Sequence, residues 1–530
     1  MPSTLSRKIL ICIGAPLRPR AIGGFPSTAR RRIAGIELLV ISVVSFLLYA
    51  TGVLALHQDR NNNWSVESYD VIPGAISHVV YGTPLGAVDA NVRLVLEEQK
   101  SLGLVRAVAK VADGSVAPGK LELFSTDGIG VGSILFATVA MSLFGAQISS
   151  LIFFFLAVIG ISVLAFTWRF QDARFLMIPL YFLVLSIIFL TPIYATSIVA
   201  DQIPIGGNRY FTIAAILPAL HIYFDIADQD RARSKKILFL DSILLTIQAL
   251  ILFGVLLVRS SASLLVGVIV AIFLFRLYAE RKDWSKWAPV TVKFGLVVAS
   301  AVFWGIVIAE TMPTYVQAGR VLGLFWHRAF VSLSSHPEWP FGNLREVYDC
   351  SREFSEGLTR KNGDRNGHCI WWVYPPNRTR SDREVIDGDY GSEYERALRQ
   401  AFFDVVRSYP KQVFEVFFYK KSSLWMQTLG ESFQLQFSAA PKTVLGIVGI
   451  QFLIFISFIA ASARRGMSVV NRDVLIIFVF FVLSLVPLYV AWSNLSTSVD
   501  TIFFMYCSVA IVIAFLVQAA TEFIWAPSQK

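Results

Sequence analysis

Charge is what this chain has least of. Of its 530 residues only 16% are Asp, Glu, Lys or Arg, against 55% hydrophobic. A soluble domain carries about 25% charged residues, so a water-solvated globule is excluded for most of the length, and the mean hydropathy of +0.59 agrees. Cysteine is nearly as scarce, at four residues. Cys12 lies in a basic N-terminal stretch and Cys507 in an apolar run, and no cysteine spacing resembles a zinc site. Cys350 and Cys369, 19 apart in one polar region, are free to form a disulfide if that region lies outside the cytoplasm, with two free thiols as the alternative. There is no internal repeat, and no low-complexity segment beyond the N-terminal tail. The first apolar run lacks a convincing small-x-small cleavage site. Residues 1–33 are therefore expected to be a disordered basic cytoplasmic tail ahead of a retained signal anchor, not a removed signal peptide.

What is present is a series of apolar runs. A spanning helix needs roughly 20 apolar residues, and the runs 34–56, 149–168, 176–196, 211–227, 237–257, 263–279, 289–309, 443–463, 473–492 and 502–523 qualify. The net charge of +10 does not point to nucleic acid, because the basic residues sit in short clusters between those runs. One further apolar run, 129–145, is short and begins among glycines, and charge parity decides whether it crosses. If it does not, and the N-terminus is cytoplasmic, the inside loops carry Arg169 and Arg174; Arg231, Arg233, Lys235 and Lys236; Arg276, Arg281, Lys282 and Lys286; Arg464, Arg465 and Arg472. The short outside loops then carry only Arg209 and Arg259. Crossing would invert every later loop and put the clusters outside, against the positive-inside rule. The expectation is an α-helical polytopic membrane protein with about ten transmembrane helices, both termini cytoplasmic, and 129–145 lying along or re-entering the outer surface. The Arg-rich style of the chain points to a bacterial inner membrane.

This layout divides the chain into the tail 1–33, a membrane core 34–309 whose first outer loop spans 57–148, an extracytoplasmic domain 310–442, and C-terminal helices 443–530. The outer domain reads as a small mixed α/β block. Within it, Ser392 to Arg407 has Tyr394, Leu398, Phe402 and Val405 at helical spacing, and Tyr409-Pro410 ends that helix because the residue before proline is pushed out of the helical region. The aromatic and basic text that follows (Phe417, Phe418, Tyr419, Lys420, Lys421, Trp425) reads as an interfacial segment.

The stretch around which the rest is organised is His57 to Gln147, where Glu67, Asp70 and Asp127 sit beside a membrane surface with no nearby excess of positive charge. Trp64-Ser65-Val66-Glu67-Ser68-Tyr69-Asp70 follows the first helix, and Thr126-Asp127-Gly128-Ile129-Gly130 runs on to Leu143-Phe144-Gly145. A helix, an early acidic pair, a surface run ending Leu-Phe-Gly and then many helices resembles the GT-C class of membrane glycosyltransferases. The nearest likeness is to the branch holding the protein O-mannosyltransferases and the lipid A aminoarabinose transferase. That branch carries Asp-Glu-Ala-x-Tyr and His-Pro-Pro-Leu-Tyr segments in these places, and this chain lacks the His and the prolines. The resemblance implies an outer-face transfer of a sugar from a polyprenyl-phosphate donor to a glycan, lipid or protein acceptor.

Such a transfer needs a carboxylate to take the acceptor proton, and cationic or metal help for the departing phosphate. Asp127, Glu67 and Asp70 meet the positional demand for the first role. Three glycines at two-residue spacing (Gly128, Gly130, Gly132) would let backbone approach a ligand closely. The competing structural reading makes Glu67 and Asp70 solvated loop charges and Asp127 a helix cap. Arg209, His327 and Arg328 are the candidate donor-phosphate contacts; Arg209 is equally an interfacial anchor, and His327 an ordinary packed histidine. A divalent metal ion is compatible with the chemistry, but His336 and Glu338 alone make no site. Asp225 and Asp241 are read as balanced by the basic loop they flank. His221, inside an apolar helix, is a functional candidate by default or hydrogen-bonded to a neighbour. Two other classes stay open, a transporter and a non-catalytic membrane assembly factor.

Overall fold

The structure, a computed structural model, describes residues 29–58, 71–98, 104–123, 131–170, 173–188, 211–227, 235–258, 263–280, 284–312, 325–336, 392–423, 442–464, 474, 477 and 499–525. Nearly all of these are helical. Among the described residues six helices are long and apolar enough to cross a membrane: Glu37–Leu54, Ser149–Arg169, Phe239–Val258, Ala288–Thr311, Leu445–Ala463 and Phe503–Ile524. Three of the other runs expected to span appear as shorter apolar helices, Arg174–Ile188, Thr212–Ala227 and Leu265–Tyr278. Of the run 473–492 only Val474 and Ile477 are described, both buried.

In chain order, α1 is Ala29–Gln58. A first polar block follows: α2 (Val71–Tyr81), β1 (Ala87–Asp89), α3 (Ala90–Glu98), α4 (Leu104–Ala112), β2 (Leu121–Leu123) and α5 (Val131–Phe144). The strands pair antiparallel with Val88 opposite Glu122. The bundle continues with α6 (Ser149–Arg169), α7 (Met177–Ile188), α8 (Phe211–Ala227), α9 (Lys235–Val258), α10 (Ser263–Glu280) and α11 (Trp284–Thr311). The second polar region holds α12 (Phe325–Val331), α13 (Ser392–Ser408) and α14 (Pro410–Glu415), and the chain closes with α15 (Lys442–Arg464) and α16 (Val499–Trp525). The only sheet among the described residues is thus in the first polar block, and the described part of 310–442 is helical.

Side-chain contacts fix which helix ends lie together. Ser42, midway along α1, bonds Thr167, late in α6 (3.0 Å), and Phe46, a turn later, faces Gly160, so α1 runs antiparallel to α6 and starts at the end where α6 finishes. Arg169, the last residue of α6, reaches Asp225 near the end of α8 and Asp241 near the start of α9, and Lys293, early in α11, meets Asp225 as well. These termini form the Arg169 end of the bundle. The first polar block packs at the opposite end: its core of Ile72, Ile76, Val92, Val108, Ile134 and Met141 includes Ile148 and Leu151, where α6 begins, and Ile308 and Met312, where α11 finishes. Gln451 of α15 donates to the Ser45 carbonyl (2.8 Å) and Ile447 touches Gly52. Hence α15 runs antiparallel to α1 and also begins at the opposite end. Both long polar regions therefore leave and re-enter the bundle on one side.

Within this frame α5 lies at one end of the bundle. Its 14 residues rise about 21 Å at 1.5 Å per residue, short of the roughly 30 Å of hydrocarbon, and it packs among helix ends of one side only. Gly145 ends it at φ +95°, a left-handed conformation that a β-carbon disfavours. At its other end Gly132 lies against the end of α9, where a β-carbon would overlap the backbone of Leu257 and Val258. The last of the three spaced glycines is thus explained by helix–helix approach; Gly128 and Gly130 lie outside the described residues.

Candidate active site at one end of the bundle

The first polar block is organised around a carboxylate that composition and spacing do not single out. Asp89 ends β1 and is buried. Its Oδ1 accepts from the backbone N–H groups of Asn91 (2.9 Å) and Val92 (3.2 Å), and its Oδ2 from Gly119 N–H (2.6 Å). It therefore caps α3, where the first N–H groups have no helical partner, and ties the 113–119 turn to that cap. The Asp89 N–H donates to Ser77 Oγ (3.1 Å), and Ser77 donates to the Pro73 carbonyl (2.6 Å), which carries the linkage into α2. Tyr81 at the end of α2 donates to the Val116 carbonyl (2.6 Å). Burial, and secondly the charge of Asp89, push its hydroxyl pKa up. Asn91 and Arg93 add bonds to the Ala117 carbonyl (2.9 Å) and to Glu122 (3.1 Å). With all these groups engaged, this carboxylate is a structural hub.

Glu67, Asp70, Asp127 and Arg209 lie outside the described residues. Two of them are nonetheless anchored by their neighbours in the chain. Asp70 immediately precedes Val71, the buried first residue of α2, and Asp127 falls between Leu123 of β2 and Val131 of α5. Because α2 and α5 pack on each other through Ile72, Ile76, Ile134 and Ala137, the segments bearing these carboxylates lead into two packed helices at the same end of the bundle.

His327 and Arg328 fall in α12, as the sequence places them together, and α12 packs on α13. Glu395 fixes that junction, accepting from the N–H groups of Trp326 (2.7 Å) and His327 (3.0 Å) at the first turn of α12, where a carboxylate also meets the positive end of the helix dipole. Trp326 packs at a tilt against Phe402 and Phe403 under the Arg399 guanidinium. The His327 ring is buried, in keeping with a packing role; the Arg328 side chain lies outside the described set. His336, also buried, places Nε2 3.3 Å from Glu415 Oε2. Its partner is thus an acid far along the chain, while Glu338 lies outside the described residues, as do Cys350 and Cys369. Among the described residues no three His, Cys, Asp or Glu side chains gather as a metal site would require.

A second polar cluster sits at the Arg169 end. Arg169 Nε donates to Asp225 Oδ1 (2.8 Å), with Nη2 on the same oxygen, and lies 3.5 Å from Asp241. Lys293 Nζ sits 3.2 Å from Asp225 Oδ2 and donates to the Asp225 carbonyl (2.6 Å). Four helices each contribute one charge, two of each sign. Among the described residues Asp225 meets partners from α6 and α11, and Asp241 meets Arg169 of α6, contacts that local charge balance with the loop did not include. Two turns away along α9 and α6, Gln248 donates to the Ser162 carbonyl (2.9 Å) and accepts from its hydroxyl (2.9 Å), and its amide approaches His221 Nδ1 at 3.4 Å. His221 stands edge-on to Phe166 and Phe170, and its Nε2 has no hydrogen-bond partner among the described residues.

Comparison of the chain with protein-family models, with curated proteins and with solved structures finds no match, so its own geometry carries any functional reading.

Proposed function

We propose that this protein is an integral-membrane glycosyltransferase, moving a sugar from a polyprenyl-phosphate donor to a glycan, lipid or protein acceptor at the outer face of a bacterial inner membrane. One observation carries the reading: both long polar regions open from the same end of the bundle, and the helices α2 and α5, which flank Asp70 and Asp127, pack together there. A donor whose lipid tail stays in the bilayer presents its phosphate at that depth. In the transfer the bond from the sugar anomeric carbon to the phosphate oxygen breaks and the acceptor oxygen takes its place. The acceptor proton passes to a carboxylate, and polyprenyl phosphate leaves with the bonding pair. Asp127 is the first choice for that base, with Glu67 and Asp70 as the other candidates, and Arg209 and Arg328 are assigned to the phosphate, the buried His327 ring serving to pack α12. A divalent metal ion would serve the same phosphate.

The transporter reading draws on the charges buried between α6, α8, α9 and α11, since ionisable groups inside a membrane bundle mark transport paths by default. There Asp225 is already held by two cations, an arrangement that suits a fixed clamp better than a path. A non-catalytic assembly factor has no observation of its own in its favour.

The deciding experiment follows label transfer from a panel of radiolabelled polyprenyl-phosphate sugars in host membranes, with Asp127→Asn, Glu67→Gln and Asp70→Asn variants. Loss of the base lowers turnover by about 100-fold or more with donor binding retained. Full activity in all three variants moves the base elsewhere, and failure of the wild-type protein to bind or turn over any donor overturns the enzyme reading.

A further inference from the structure

The second polar region carries an exposed face that its own core does not explain. Residues 410–423 form one continuous helix interrupted by a π turn at Val416–Lys420. Its inward side is Val413, Val416 and Lys421, all buried. With ordinary helical spacing the stripe begun by Val413 and Val416 would continue at Lys420. The π turn, closed by the Lys421 N–H on the Val416 carbonyl, adds one residue, so Lys421 takes the inward slot and Lys420 stays outside. The outward side is then Lys411, Phe414, Phe418, Tyr419 and Lys420. Phe414, Phe418 and Tyr419 are 53%, 62% and 67% exposed, with the two phenylalanine rings stacked at 4.3 Å. Three adjacent aromatic side chains left open on a helix mark a contact surface.

Charge selects the occupant. Among the described residues of 395–423 the exposed charges are Arg396, Arg399, Arg407, Lys411 and Lys420, all cationic. The three acids, Glu395, Asp404 and Glu415, are half-buried, and Glu395 and Glu415 are occupied by the α12 N–H groups and by His336. The chain also tethers this block to two helices of the bundle. Residues 313–324 and 424–441 connect the block to α11 and α15, whose joined ends lie on one side of the bundle; fully extended they reach only about 40 Å and about 60 Å.

We propose that the helix 410–423 lies on the membrane surface beside its own bundle, with Phe414, Phe418 and Tyr419 in the boundary between headgroups and acyl chains and with Lys411 and Lys420 on acidic phospholipid headgroups. Aromatic rings flanked by lysines favour that layer over both water and hydrocarbon, and each lysine near an anionic surface adds about 1 kcal/mol of attraction. The inference is independent of the proposed activity.

The test uses the full-length protein in vesicles, with a spin label on Phe418→p-acetylphenylalanine, a replacement close in shape to the native ring, and on exposed Ser115→p-acetylphenylalanine as a water-facing reference. In vesicles containing phosphatidylglycerol, the label at 418 collides with oxygen far more than with a water-soluble nickel chelate, while the label at 115 does the reverse. Pure phosphatidylcholine, or Lys411→Gln with Lys420→Gln, lowers the oxygen-to-nickel ratio at 418 by about twofold or more. A ratio at 418 equal to that at 115 overturns the proposal by placing the face in water. Protection from both reagents overturns it by showing a protein partner or a second copy on the face. A ratio indifferent to lipid charge and to both lysines overturns the assignment of acidic headgroups.

Discussion

Asp225 shows how much one side chain holds in this bundle. Only 1% exposed, it faces Arg169 from α6 and Lys293 from α11, so its loss leaves two cations without their shared carboxylate. Breaking a buried pair on one side costs about 3–5 kcal/mol, and Asp225→Ala is expected near the lower figure because Arg169 keeps Asp241. Thermal unfolding in detergent reads the loss, and adding Arg169→Met recovers part of it; equal stability of Asp225→Ala and wild type would show the cluster to be solvated. Asp89→Asn turns one accepting oxygen into a donor against the Gly119 N–H, and a cost of about 1–2 kcal/mol is expected as faster proteolysis of the 113–119 turn. Lys421, 1% exposed, has its ammonium pKa pushed well below the ordinary lysine value by burial. The unfolded chain therefore holds this proton more tightly than the folded one. Stability of the second block rises with pH between the lowered value and the ordinary value of about 10.4, and falls as pH drops through the lowered value. Lys421→Met flattens that slope, as proteolysis of the block across pH will record.

At the scale of elements, α5 depends on its approach to α9. Gly132→Ala forces the two helices apart, at about 1–3 kcal/mol for an overpacked contact. Gly267→Ala in α10, where nothing lies within 4 Å of a new β-carbon, is neutral or slightly stabilising. Paired melting curves separate the two, and equal behaviour would show that the α5–α9 contact is loose. The helix α13 was legible beforehand: the stripe of Leu398 and Val405 is buried as its spacing requires, and Tyr409-Pro410 ends one helix and starts the next. The aromatic text after it was legible only as text. Which of Phe417, Phe418, Tyr419, Lys420 and Lys421 face outward is decided by a π turn, and no periodic pattern announces one.

For the whole molecule, the decisive relation is that the two polar regions share a side. With impermeant maleimide on intact cells expressing single-cysteine variants, Ser115→Cys and Ser422→Cys label together from outside. Ser234→Cys, between α8 and α9 at the Arg169 end, labels only after lysis. Labelling of Ser115→Cys and Ser422→Cys from opposite sides would contradict the antiparallel pairing of α1 with α15. The proposed chemistry rests on this shared side, because donor, acceptor and carboxylates meet there only if both regions open to it.

Sequence alone determined that this is a helical membrane protein, where its longest apolar runs begin and end, and which stretches stay polar. Those properties are set by the burial preference of consecutive residues in a bilayer about 30 Å thick. The spread of lysine and arginine added the expectation that 129–145 does not cross. Tertiary structure decided the pairings: Arg169 with Asp225, Ser45 with Gln451, Glu395 with the start of α12, Asp89 with the 113–119 turn. Each joins residues separated by 30 to 406 positions. A short polar side chain gives no local sign of a partner that far along the chain, since only packing of the helices brings the two within reach.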